Sequence, residues 1–180
     1  MPQTDAEVRA AAAQCRHYAM CKIDFLGSGV CRSGLEKHYV SFYPQGRMDL
    51  YAALAENRIP VTEKCLEIAD SCDLCASCDY QCYFVTEMKP SLVMAALKEH
   101  IRVHIDKGGE VVMPEHDPIL DEIRGIVGEY WATNDRAIAL TYSHDPCPVA
   151  EPRMPEYVIM PASTAEISAV VKLLNSHNIK

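Results

Sequence analysis

Four cysteines within eleven consecutive residues constrain this chain more than any other feature of its sequence. Cys72, Cys75, Cys78 and Cys82 follow the spacing C-x2-C-x2-C-x3-C. The two-residue steps let three thiolates converge from a tight turn onto one centre, and the longer last step carries the fourth thiolate away. This spacing is typical of a cubane iron–sulfur motif, whose fourth cysteine ligates a neighbouring cluster. Tyr83 stands where a proline usually follows the fourth cysteine.

Closely spaced cysteines also serve other chemistries, which stay open at this stage. Cys-x2-Cys is a zinc knuckle, although zinc sites usually pair two knuckles across a longer gap. Cys75 and Cys78 would alternatively form a reactive pair in a thiol–disulfide protein, but such a pair usually begins a helix that follows a strand. Inert buried thiols are the last alternative. The three consecutive short steps favour the iron–sulfur site.

An incomplete copy of the motif lies upstream. Cys15 and Cys21 are separated as first and third ligands should be, and Tyr18 occupies the place of the second. Phe25 stands where a fourth cysteine would normally fall. Cys31, six residues later, is the natural substitute after a short insertion. The upstream motif therefore predicts a second cluster with an altered ligand set.

Together the two motifs predict the ligands of two clusters. We expect one cluster, of four irons, to be held by Cys72, Cys75, Cys78 and Cys31. We expect the other to be held by Cys15, Cys21 and Cys82. Three thiolates suit a three-iron cluster, or a four-iron cubane with another ligand, for which Cys65 and His17 are candidates. The alternative for Cys65 is a buried helical thiol, a common state of free cysteine.

Composition narrows the compartment and the partners. The chain has 180 residues, nine cysteines and a formal net charge of −8. The negative balance argues against nucleic acid and against an anionic membrane surface as partners. The sequence has no apolar run long enough for membrane insertion, and its first residues do not resemble a signal peptide. We therefore expect a cytoplasmic protein, in which cysteines more often bind metal than form disulfides.

Helical signals dominate the first half of the chain. Residues 4–15 begin with a capping box and continue in alanine, and residues 48–57 have helical spacing. Thr62 is placed to cap a helix that runs through Ile68. A helical stripe follows Pro90 and stops at two glycines. Residues 22–46 are predicted to be loop with at most one helical turn.

The second half has a different pattern. Residues 118–127 predict a short amphipathic helix, and residues 156–160 predict a strand stopped by Pro161. A capping box at residues 163–166 begins a second apolar helix. Residues 146–155 are predicted to form an exposed connection. Strand followed by helix is the start of an α/β unit.

The order of motifs in the first half resembles a known family. The half-motif from Cys15 to Cys31, the segment Tyr43-Pro44-Gln45-Gly46-Arg47-Met48, an amphipathic helix and the motif ending at Cys82 occur in that order. This order resembles the iron–sulfur subunit of glycolate oxidase and the heterodisulfide reductase C-type proteins. The resemblance covers about residues 10–105 and implies an α-helical ferredoxin-like domain with two clusters. That family commonly has a further arginine at the position of Gln45.

The second half resembles the opening of another family. The features are Ile126-Val127-Gly128, Tyr142-Ser143-His144-Asp145, the strand that ends at Pro161, and the capped helix. They are similar to the start of a FAD-binding domain of the vanillyl-alcohol oxidase / p-cresol methylhydroxylase type. In that family the next strand leads to a glycine-rich loop that holds the flavin pyrophosphate. The sequence stops before that loop, so FAD is expected only in a complete protein or on a partner chain.

The two resemblances imply one arrangement. Residues 1–112 would form a helical iron–sulfur domain, and residues 113–180 would form the incomplete α/β start of a flavin domain. The fold class is then mainly α. The expected function is an electron-transfer module of a FAD-linked dehydrogenase acting on a small 2-hydroxy acid. The expected partners are a flavin-containing domain or subunit and another electron carrier. No acid or base catalyst is identified, and a zinc-binding docking module is the alternative function.

Overall fold

The chain folds into a mainly helical structure. A computed structural model describes residues 5–24, 27, 30–144, 149 and 151–179. Its helices are α1 Asp5–Ala13, α2 Arg32–Lys37, α3 Pro44–Ala55, α4 Glu63–Asp70, α5 Ser77–Thr86, α6 Pro90–Asp106, α7 Pro118–Val127, α8 Arg136–Ala139 and α9 Thr164–Ser176. Two strands, β1 Ala132–Thr133 and β2 Val158–Ile159, pair antiparallel. Within these residues, no helix has both the length and the apolar character needed to cross a bilayer.

Most of the predicted helices are confirmed, and their boundaries follow local capping. Thr62 accepts a hydrogen bond from Cys65 N–H at the start of α4, and Ser163 accepts one from Glu166 N–H at the start of α9. Such side-chain acceptors satisfy backbone donors that a helix start leaves free. The capping box expected at the N-terminus includes residue 4, which lies outside the described residues. Residues 146–148 and 150 of the connection expected at 146–155 are likewise outside them.

The prediction of loop over residues 22–46 is wrong in part. This region contains α2, a 3₁₀ turn at Val40–Phe42 and the start of α3. Helix α3 begins four residues earlier than its apolar spacing indicates, because Pro44 occupies its first turn. Proline suits that position, since its missing N–H has no helical partner there. The backbone of Gly46 and Arg47 consequently has helix geometry.

Helix α3 lies at the centre of the core and packs against α1, α4 and α6. Leu50 and Ala53 of α3 and Val93 and Leu97 of α6 are fully buried. The predicted apolar stripe of α6 therefore faces the core, as expected for an amphipathic helix.

The second half packs directly on this helical core. Helix α8 contributes buried residues to the same hydrophobic cluster as α3 and α6. Ser41 Oγ and Thr141 Oγ1 lie 3.0 Å apart, and Val40 N–H donates to Tyr142 Oη. A smaller cluster joins α7, β1 and α9. Residues beyond 112 thus contribute to both clusters, and the expected segments 1–112 and 113–180 share one of them.

Gly46 allows α3 to approach the preceding 3₁₀ turn closely. A Cβ atom at this position would lie 2.5 Å from Ser41 Cα and closer still to the carbonyl oxygen of Val40. Both neighbours are backbone atoms, which cannot move aside as a flexible side chain can. The glycine is therefore a packing requirement of the segment that also carries Arg47.

We expect Gly46→Ala to lower the free energy of unfolding by about 1–3 kcal/mol, the usual cost of overpacking. Gly125→Ala is the matched control, because Gly125 lies within α7 and a Cβ there meets open space. That change should raise stability by about 0.5–1 kcal/mol. Urea unfolding followed by circular dichroism measures both. Equal stability of Gly46→Ala and the original chain would contradict the close approach.

Candidate metal centre

Four cysteines from separate parts of the sequence line one cavity, which we call the downstream cavity. Cys31 precedes α2, Cys72 follows α4, Cys75 lies in the next loop and Cys78 lies in the first turn of α5. The cavity has a volume of about 210 Å³. These are the four residues that the sequence assigns to one cluster. The structure therefore brings Cys31 to its expected partners across forty-one residues of chain.

Three further cysteines line a second, smaller cavity, which we call the upstream cavity. Cys15, Cys21 and Cys82 surround it together with His17 and Tyr18, and its volume is about 30 Å³. The three cysteines are those assigned to the other cluster. Tyr18 is 62% exposed, so its ring is largely outside the protein core.

The two cysteine loops share one backbone conformation. In the downstream loop, Leu74 and Ala76 have φ values of 57° and 60°; in the upstream loop, His17 and Ala19 have φ values of 55° and 62°. Both pairs stand two and four residues after the first cysteine, and a helical segment begins directly after each alanine. Left-handed residues that alternate with right-handed ones direct backbone N–H groups inward, an arrangement found at anion and iron–sulfur sites.

A buried arginine borders the downstream cavity. Arg47 is 1% exposed, and its Nη1 lies 3.6 Å from Cys31 Sγ. Its other nitrogens donate to Ser33 Oγ at 2.6 Å, to Ser71 Oγ at 2.8 Å and to the carbonyl of Ile68 at 3.0 Å. No carboxylate in the described ranges forms an ion pair with it. A guanidinium stays protonated when buried, so its charge requires an anionic neighbour.

Backbone and hydroxyl groups also contact the sulfurs of the upstream cavity. The N–H of His17 donates to Cys15 Sγ, and the N–H of Gln45 donates to Cys21 Sγ. Cys82 Sγ lies 3.0 Å from Thr86 Oγ1. Backbone N–H donors stabilise sulfur in its anionic form.

Burial keeps the metal-free thiols protonated. It is the main cause that raises the pKa of Cys15 and of Cys21 to about 11, and the nearby Asp49 carboxylate adds to the rise at Cys15. Burial and the neighbouring Asp79 raise the pKa of Cys78 as well. Because metal ligation requires thiolates, a metal bound in either cavity would release protons on binding.

Cys65, the remaining candidate ligand, lies at neither cavity. It is fully buried in the hydrophobic core, and its Sγ accepts a hydrogen bond from Thr62 N–H at 3.4 Å. Its position in the first turn of α4 explains this, because Thr62 and Cys65 satisfy each other's backbone N–H groups. The alternative of a buried helical thiol thus agrees with its surroundings. Cys147 lies outside the described residues.

Sequence reasoning missed two charged residues near the cysteines. Arg47 belongs to the segment Pro44-Gln45-Gly46-Arg47. Its burial marks it as part of the site, and a local sequence pattern does not reveal burial. Asp49, two residues later on α3, approaches His17 of the upstream loop, and the sequence carries no sign of this contact.

Comparisons of the chain with protein-family models, curated proteins and solved structures find no match.

In the metal-free chain near pH 8, we expect iodoacetamide to modify Cys75 first and Cys15 and Cys21 slowly. Cys75 is exposed, whereas the other two thiols are protonated at that pH because their pKa values are about 11. The thiolate is the reactive form. Modification of Cys15 and Cys21 should therefore accelerate about tenfold for each pH unit up to about pH 10. Peptide mass spectrometry of timed samples measures these rates, and equal rates at Cys15 and Cys75 would contradict the buried setting.

Proposed function

We propose that this chain is an iron–sulfur electron-transfer module of a FAD-linked oxidoreductase. The observation that carries the proposal is the downstream cavity, where four cysteines converge beside a buried arginine. The sequence assigns all four cysteines to one cluster, and the fold brings Cys31 from a distant segment to the same cavity as the other three.

The electrostatics of the downstream cavity fit a cluster. A cubane held by four thiolates carries a net negative charge, which its surroundings tune. Arg47 supplies a buried positive charge in contact with Cys31 Sγ. The negative charge of a cluster would neutralise the guanidinium of Arg47, which has no carboxylate partner among the described residues.

The size of the downstream cavity favours a cluster over a single zinc ion. Four thiolates around one zinc lie about 2.3 Å from the ion and close tightly upon it. The cavity that the four cysteines line together with other residues has a volume of about 210 Å³, which is many times the roughly 10–15 Å³ that one water-sized probe requires. This space suits a group of several atoms.

The upstream cavity supports a second cluster with fewer thiolates. Its loop has the backbone conformation of the downstream loop, with Tyr18 at the position that Cys75 holds downstream. Three thiolates suit a three-iron cluster or a cubane that takes a further ligand. The smaller volume of about 30 Å³ agrees with a smaller or incomplete site.

The second half supports the flavin connection through its order of elements. Strand β2 is followed by Pro161, the Ser163 cap and α9, as in the start of the FAD-binding domains that the sequence resembles. The same half packs through α8 onto the core that carries the cysteines. We infer that a flavin-containing domain or subunit adjoins the second half of the chain. We infer further that the substrate of this flavin is a small 2-hydroxy acid, and that another electron carrier accepts the electrons.

The residues of the chain have defined roles in this proposal. When bound, an iron–sulfur cluster supplies one-electron transfer. The cysteines of each cavity would hold a cluster. In the upstream cavity the backbone N–H groups of His17 and Gln45 donate to the sulfurs, and in the downstream cavity Arg47 offsets negative charge. Donors and positive charge near sulfur favour the reduced state, so these residues set the reduction potential.

We expect Cys31→Ser to lose the downstream cluster, which amounts to about four irons for each chain. Cys65→Ala is the matched control, because Cys65 lines neither cavity, and it should retain the iron of the original chain. Iron and sulfide analysis of anaerobically prepared protein, with electron paramagnetic resonance of the oxidised and reduced states, measures both.

Several outcomes would contradict this assignment. Zinc in place of iron would support the docking module, and iron loss in Cys65→Ala would make Cys65 a ligand. A chain without metal that exchanges disulfides through Cys75 and Cys78 would be a thiol-redox protein.

We expect Arg47→Met to lower the reduction potential of the downstream cluster by on the order of 100 mV, the effect of one elementary charge a few ångströms away at an effective dielectric constant near 20. Arg47→Lys keeps the charge and should remain close to the original potential. Redox titration followed by electron paramagnetic resonance measures both variants. An unchanged potential in an iron-loaded Arg47→Met variant would contradict the electrostatic role of Arg47.

A further inference from the structure

Three side chains of types that bind metals converge at a place that includes none of the cysteines of the two cavities. His17 Nε2 lies 2.8 Å from Asp49 Oδ1 and 3.3 Å from His144 Nε2. One ligand atom from each residue lies within 4.8 Å of the other two. The three residues come from the upstream cysteine loop, from α3 and from the segment after the 3₁₀ turn Leu140–Tyr142.

The hydrogen-bonding capacity of His17 does not account for both contacts. A ring nitrogen offers either one N–H or one lone pair, directed along a single line in the ring plane. His17 Nε2 nevertheless faces Asp49 and His144 at once. A cation between the three atoms would satisfy all of them together.

Ser143 fixes the state of the His144 ring. Its hydroxyl donates to the carbonyl of Leu140 at 2.7 Å, so its oxygen is left to accept from His144 Nδ1–H at 3.3 Å. With the proton on Nδ1, the lone pair of His144 is on Nε2 and points toward His17. Metal-binding histidines commonly have their second nitrogen held in this way.

Asp49 supplies an independent sign of a missing partner. Its Oδ2 is buried and accepts no hydrogen bond in the described structure, and His144 Nε2 lies 3.9 Å from it. The carboxylate is 12% exposed. A buried carboxylate oxygen without a donor is costly, and a cation removes that cost.

We propose that His17, Asp49 and His144 form a site for one divalent first-row transition metal. The site adjoins the upstream cavity but uses none of its thiolates, and His17 would then bind this metal and not the upstream cluster. Two imidazoles and one carboxylate are a common ligand set for zinc and non-haem iron, with further positions open to water or substrate. The 3.3 Å separation of the two Nε2 atoms suits two nitrogens about 2.0–2.1 Å from one ion.

The proposed site would connect the two halves of the chain. His144 lies 127 residues beyond His17, and its segment follows the part of the second half that packs on the helical core. A bound metal would hold this segment against the upstream cysteine loop. The site therefore goes beyond electron transfer by thiolate-bound clusters.

The test uses Mn²⁺ with the full chain as purified, because Mn²⁺ prefers nitrogen and oxygen ligands to thiolates. Titration followed by the electron paramagnetic resonance signal of free Mn²⁺ should show one saturable site. His144→Ala and Asp49→Asn should each weaken binding by about tenfold or more. Co²⁺, which binds such sites more tightly, is titrated in parallel, and its absorption should show nitrogen and oxygen ligation without a thiolate charge-transfer band.

The matched control is His177→Ala. His177 Nε2 lies 3.6 Å from Glu122 Oε1, a histidine–carboxylate pair without a third ligand in the described structure, and its loss should leave Mn²⁺ affinity unchanged. Circular dichroism checks that each variant is folded. Equal affinity of a folded His144→Ala variant and the original chain, for both metals, would overturn the proposal. So would a His144→Ala variant that loses cluster iron instead of Mn²⁺ affinity.

Discussion

The downstream cavity depends on one buried positive charge. The guanidinium of Arg47 joins α3 to the residue that precedes α2 and to the end of α4, through contacts with Cys31, Ser33, Ser71 and the Ile68 carbonyl. A buried guanidinium keeps its charge, so it needs acceptors in every direction and an anion nearby. These requirements place the three segments around the downstream cavity.

The two cysteine loops form a structural repeat with unequal ligand sets. Each has two left-handed residues that are not glycine, a conformation that costs about 1–2 kcal/mol per residue. Such strain persists where surrounding contacts impose it, commonly at functional sites. The replacement of a cysteine by Tyr18 leaves the loop conformation unchanged. The upstream loop thus keeps the backbone conformation of the downstream loop while its cysteines differ.

The two halves of the chain are joined at the helical core and at the upstream cysteine loop. Helix α8 is buried in the core formed by α3 and α6, and His144 contacts His17 within the upstream loop. Tyr39 Oη donates to the Tyr130 carbonyl at 2.7 Å between the same halves. If the second half begins a flavin domain, that domain adjoins the cysteine sites through packed contacts. Short distances of this kind are what electron transfer between two centres requires.

The sequence by itself determined the helices with strong caps and apolar stripes, and it predicted which seven cysteines gather. The helices follow from hydrogen bonds and spacings within a few residues. The cysteines follow from the motif, because its regular spacing shows at which position a cysteine is missing and must come from elsewhere. Only the tertiary structure decided that α2 is helical and that Cys65 takes part in a helix cap. It also decided that Arg47 is buried and that Asp49 lies beside two histidines. These outcomes depend on burial and charge contacts between residues far apart in the chain, which local patterns do not encode.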